Sequence, residues 1–122
     1  MEKIIKFVNE NLPYFLLTSS NKQAEGRPFG AIMSDGTNLY ISTSNKKKVY
    51  HELKANSLVQ IISFKYGTRD WLRISANAIE IFDFKTKDKM LKECPVLYKH
   101  YANANVEFYA VFKLELNKVE WF

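Results

Sequence analysis

The stretch TRDWLRISANAIEIFDF, Thr68 to Phe84, constrains the fold of this chain more than any other. Trp71, Arg73, Ser75 and Asn77 fall on one face of an extended backbone, and Leu72, Ile74, Ala76 and Ala78 fall on the other. A period of two is the mark of a strand with one face on a core. Five further segments read as strands: YFLLTSS, RPFGAIM, NLYIST, SLVQIISFKY and the last stretch, NVEFYAVFKLELNKVEWF, as one strand or a pair.

The connections support antiparallel pairing. SDGTN carries the Asp-Gly hairpin signal between RPFGAIM and NLYIST. NKQAEG reads as a polar turn and Gly67 as another, and Pro28 is tolerable only at a sheet edge or bulge. Helical periodicity is confined to EKIIKFVNENL, which Pro13 stops, to VYHELKAN, ending near Asn56, and to TKDKMLKECPVLYKHYAN, two short helices split by Pro95. About six mostly antiparallel strands with peripheral helices imply a mainly β, closed or partly closed barrel. At 122 residues the chain makes one domain, 1–122.

Composition narrows the partners. The net charge of +5 fits nucleic acid, an anionic surface or a phosphorylated small molecule. All the basic residues except Arg27, Arg69 and Arg73 are Lys, which argues against base reading and leaves a soluble face or a small anion. A single cysteine, Cys94, excludes an internal disulfide framework, and His51 and His100 stand alone without metal-ligand spacing. No apolar run reaches membrane-spanning length and no signal-peptide pattern opens the chain, so the expected location is cytoplasmic, with no membrane partner.

One segment sits oddly. STSNKKKVYHEL places Lys46, Lys47 and Lys48 at a helix start, where the macrodipole disfavours cations. If the strands flanking the Asp-Gly turn pair, Arg27 reaches the same hairpin end as Ser42, Thr43, Ser44 and these lysines. Such a group of cations, hydroxyls and helix-start N–H groups would hold a phosphate; a solvated lysine face is the alternative. Trp71, on a mostly polar strand face, would pack on a flat ligand or a partner, or cover the barrel's open end. No nucleophile-base pair is evident, and oxidoreduction needs none because the cofactor carries the electrons.

Taken in order, FLLTSS, RPFGAIM, the Asp-Gly hairpin, LYISTSNKKKVYHELKANSLVQI and WLRISANAIEIFD resemble the pyridoxamine 5'-phosphate oxidase-like, FMN-binding split-barrel family. The likeness is nearest to its short bacterial members of the nitroimidazole-resistance type and runs from Phe15 to about Lys113. It implies a six-stranded antiparallel Greek-key split β-barrel with short peripheral helices, acting as a homodimer with FMN in clefts at the subunit interface. It further implies that Arg27 and Lys47, with Lys48 as neighbour, hold the flavin phosphate. Pro28, Phe29 and Gly30 would run along the ring system, and Thr43, Ser44 and Asn45 would meet phosphate and ribityl oxygens. Trp71 stands where full-length oxidases place a flavin-touching Gln. The Arg-x-His pair that grips pyridoxal in true oxidases is missing from KVEWF, which argues against vitamin B6 oxidation.

The resulting expectation is a small FMN-dependent oxidoreductase acting on a small molecule, with NAD(P)H as a candidate donor and Arg73 as a candidate cation near the reduced ring. A flavin-binding carrier or sensor without turnover needs the same pocket. A nucleic-acid-binding barrel is the third alternative, disfavoured by the shortage of Arg. FAD, haem or a deazaflavin in place of FMN stays open.

Overall fold

The computed structural model describes residues 1–122. Helix α1 (Glu2–Glu10) leads into strands β1 (Tyr14–Ser20), β2 (Gln23–Phe29), β3 (Met33–Ser34) and β4 (Leu39–Ser44). Helix α2 (Lys48–Ala55) then connects to β5 (Leu58–Phe64) and β6 (Trp71–Ile81). Helix α3 (Phe84–Glu93), a 3-10 turn (Pro95–Lys99) and the long strand β7 (Tyr109–Trp121) complete the chain. No helix is long and apolar enough to cross a membrane.

The strands form one antiparallel sheet in the order β2-β1-β5-β6-β7-β4-β3. Seven strands replace the six expected, for local reasons. The turn in NKQAEG shrinks to Asn21 and Lys22, both at positive φ (49° and 65°), so Gln23–Gly26 joins the ladder opposite Leu17–Ser20. RPFGAIM does not stay one strand: β2 stops at Phe29, and Met33–Ser34 forms a separate pair with Leu39–Tyr40 across the Asp-Gly turn. The ladder has two free edges, so the barrel is not closed by hydrogen bonds. Pro28 lies on an edge strand, where its missing N–H costs no ladder bond.

The sheet nonetheless curls. Leu16 of β1, Ile61 of β5, Ile74 of β6, Phe112 of β7 and Ile41 of β4 share one buried cluster, which is possible only if a single concave face wraps on itself. In β6, Leu72, Ile74, Ala76 and Ala78 are buried while their alternates are not, as the period of two predicts. Helix α2 packs Val49 and Leu53 into this cluster. A second cluster gathers Met90 and Leu91 of α3, Leu97 of the 3-10 turn, and Tyr101 and Tyr109. Between Ser75 and Ala76 the register against β7 shifts, skipping Asn117.

A left-handed conformation costs a lysine roughly 1–2 kcal/mol, partly recovered by Gly at the expense of unfolded-chain entropy. Lys22→Gly, giving the Asn-Gly pair that such a two-residue hairpin favours, should therefore raise stability by about 0.5–1 kcal/mol in urea unfolding. A loss of stability would mean that the Lys22 side chain contributes a contact worth more than this strain.

Candidate functional site

The curl brings β2 and β4, from the two ends of the strand order, to one cavity of about 440 Å³, within the usual range of roughly 300–1,000 Å³ for small-molecule sites. One wall is the end of β2 and the segment after it, Arg27 to Ala31. The facing wall is the end of β4, Ser42 to Ser44, with Lys47 and Val49 from the start of α2. The mouth is formed by Val96, Leu97, His100 and Tyr101 after α3, and by Phe108 before β7. Arg27 and Lys47 thus reach the same space, but not along one hairpin as expected; β2 and β4 stand near opposite ends of the strand order.

The three lysines part company. Lys46 lies over the Phe108 ring at 4.4 Å. Lys47 caps α2 from an extended backbone (φ −90°, ψ 152°) and lines the cavity. Lys48 turns away to Glu25 at 3.1 Å, with the Glu52 carboxylate at 3.7 Å. Helix α2 has no side-chain hydrogen bond capping its start, so its first N–H groups have no side-chain acceptor.

Arg27 is held by a network the sequence reading did not anticipate. Its Nη1 donates to the Leu16 carbonyl (3.2 Å) and the Thr18 hydroxyl (2.9 Å), and its Nη2 to Glu52 Oε1 (2.6 Å). Thr18 in turn donates to the same Glu52 oxygen at 2.7 Å. Glu52 and Thr18 are buried (3% and 5% exposed), whereas the Arg27 side chain keeps 23% of its surface open. Burial alone would push the Glu52 carboxyl up, but the Thr18 hydrogen bond and the Arg27 charge outweigh it, and its pKa falls below the ordinary value.

The other polar groups differ in availability. Ser42 is 9% exposed and lines the cavity, while its Oγ is itself buried with no hydrogen-bond partner in the chain. A buried hydroxyl left without a partner is a local cost to the fold. Ser44 Oγ accepts from the Lys46 amide. Gly30 leaves bare backbone at the wall; a Cβ placed there would meet nothing within 4 Å. Tyr101 leans on Tyr109 and Phe108 with ring centroids 4.6 and 5.8 Å apart, and burial raises its pKa, keeping the phenol neutral.

Of the residues singled out from sequence, Arg27, Pro28, Phe29, Gly30, Thr43, Ser44 and Lys47 line the cavity; Asn45, Lys48 and Trp71 do not. Asn45 Nδ2 donates to the Glu107 carbonyl at 3.3 Å and thereby ties down the loop that presents Phe108. Trp71 stacks on Phe122 (4.1 Å, 11°). Arg73 is engaged by both carboxylate oxygens of Glu120 at 2.9 and 3.2 Å. The Cys94 thiol donates to the Ile32 carbonyl, and burial pushes its pKa up, so it packs as a thiol.

Comparison with known proteins gives the same fold repeatedly. No protein-family model matches the sequence, and no curated protein sequence matches it. Among solved structures, a NimC/NimA family protein from Clostridium acetobutylicum superposes with TM-score 0.88 at 24% identity, over 100% of this chain and 90% of that one. General Stress Protein 26 from Bacillus anthracis gives 0.84 at 16% identity, over 99% and 92% of the two chains. An FAD-binding protein from Mesorhizobium loti gives 0.76 at 14% identity, over 98% and 91%. The chain has the fold that the sequence motifs resemble.

Because the folded pKa of Glu52 is depressed, the unfolded chain binds its proton first as pH falls. The stabilisation from Glu52 is therefore complete above its ordinary pKa, about 4.3, and is lost as pH drops through the folded value. Glu52→Gln should lower stability at pH 7 by about 1–3 kcal/mol and flatten the acid side of the stability profile. An unchanged acid limb would remove Glu52 from the account of acid unfolding.

Proposed function

We propose that this protein is a small flavin-binding oxidoreductase whose preferred cofactor is FMN. The single observation behind this reading is a cavity that Lys47, Arg27 and Thr43 line together with bare backbone at Gly30. The fit is chemical. The cationic end and the start of α2 suit an esterified phosphate. The hydroxyls of Thr43 and Ser44 suit ribityl oxygens. The backbone from Phe29 to Ala31 would run along a planar ring, and Gly30 sets no side chain against it. Leu97, Tyr101 and Phe108 supply the apolar and aromatic surface on which a ring can lie.

A bound flavin supplies the redox chemistry, accepting and releasing electrons in one- or two-electron steps. The chain's own residues bind and orient it: Lys47 and Arg27 fix the phosphate, and Leu97 and Tyr101 keep bulk water from the mouth. His100, exposed at that mouth, is the side chain best placed to touch a small substrate. NAD(P)H is the proposed donor. A carrier or sensor would use the same cavity, and flavin-dependent NAD(P)H consumption with a small acceptor separates the two.

A homodimer is part of this reading. The outward residues of β1, β5 and β6 put Phe15 beside Ile62, and Phe64 beside Trp71 with its stacked Phe122. Phe15, Phe64 and Phe122 are each 44–50% exposed, an apolar face suited to a second copy. Trp71 would then belong to the interface and would reach flavin only across it.

Purified protein titrated with FMN should show a perturbed flavin absorption band and quenched flavin fluorescence. Lys47→Ala should weaken FMN binding by roughly tenfold or more while riboflavin binding changes little. Gly30→Ala should weaken binding of both flavins without lowering the unfolding midpoint, since a Cβ there meets no protein atom within 4 Å. FMN binding unaffected by both substitutions would place the flavin elsewhere or nowhere.

A further inference from the structure

We infer that Glu52 is a positioning residue for ester phosphate: it fixes the Arg27 guanidinium in the orientation that makes the cavity discriminate FMN from unphosphorylated flavin. This rests on the flavin reading above and goes beyond it, because Glu52 does not line the cavity and acts only through Arg27.

The geometry is a closed ring. Arg27 Nη1 donates to Thr18 Oγ1, Thr18 donates to Glu52 Oε1, and Arg27 Nη2 donates to that same oxygen. The ring joins β1, β2 and α2, and β2 is an edge strand with a ladder partner on one side only. Without it, a long side chain on such a strand would sample many rotamers, and ordering it would fall to the ligand; with it, that entropy is lost on folding.

The arrangement is otherwise hard to justify. The second Glu52 oxygen, Oε2, is buried without a hydrogen bond, and Lys48 Nζ lies 3.7 Å away. A buried carboxylate also offsets the charge of the guanidinium beside it and so weakens the pull on an incoming dianion. Both effects are costs. What Glu52 supplies in return is a fixed fork, with three donated bonds on its protein side and the remaining N–H groups of this cavity-lining residue left without a partner in the chain. Lys47, with no acidic partner within 4 Å, then carries most of the attraction, and Arg27 carries the geometry.

Two measurements on Glu52→Gln test this. In ligand-free protein, ¹⁵N spectra should show the Arg27 guanidinium with hindered rotation in the wild type and averaged signals in the variant. In titrations, the FMN-to-riboflavin affinity ratio should fall about tenfold with riboflavin affinity unchanged. Thr18→Val, which opens the ring at its other member, should move both readouts the same way and serves if Glu52→Gln folds poorly. Equal loss of FMN and riboflavin would make Glu52 merely structural, and tighter FMN binding would make it only a repulsive charge; either result overturns the inference. If the wild type binds neither flavin, the flavin reading fails, and the guanidinium spectrum alone decides whether Glu52 holds Arg27.

Discussion

A buried carboxylate on a short helix ties together the parts of this fold that would otherwise drift. Glu52 reaches from α2 to Thr18 on β1 and Arg27 on β2. An edge strand and a helix that follows β4, near the opposite end of the sheet, are thereby held against one another. The sheet has no closing ladder, so the cavity between its edges owes its shape to this contact, to the concave core beneath it and to the second cluster under α3.

That dependence explains how a domain of ordinary composition keeps a polar cavity open. The core cluster fills the concave side with Leu, Ile and Val, leaving the rim to residues that cannot join it. Ser42 is close to fully buried yet unpartnered, Lys47 stands at a helix start that no side chain caps, and Gly30 withholds a side chain where space is available. Each is a local cost in a folded chain, and all of them fall on one wall system. Costs that converge in this way are better explained by a ligand than by packing.

Much of the fold was legible because its signals are local. The alternation from Trp71 to Ala78 and the Asp-Gly turn both fall where the periodicity and turn chemistry put them, although the strand read from Thr68 to Phe84 spans only Trp71–Ile81. The strand count failed where one or two residues decide: Asn21 and Lys22 make the hairpin alone, and β2 ends at Phe29 instead of running to Met33. The site was half legible. Arg27 and Lys47 do share a cavity, but through sheet curl, which depends on contacts between β4 and β7 that no short motif records. Glu52 carried a readable signal, since it lies three residues after Val49 and beside Leu53 on the buried stripe of α2. The mouth residues Leu97, His100 and Tyr101 carried none, because a 3-10 turn docks by tertiary contact and not by periodicity. Lys48 and Asn45 look equivalent to Lys47 in sequence and differ only in the neighbours the fold gives them, Glu25 for one and the Glu107 carbonyl for the other.

The central claim concerns where an ester phosphate comes to rest, and a crystal structure of the protein grown with FMN reads it directly. The account requires the phosphorus beside Lys47 and the outer edge of Arg27, with the Arg27–Glu52 contact intact and the ring system along Pro28 to Ala31. Density for the phosphate at the His100 end, or for the flavin outside this cavity, would contradict it.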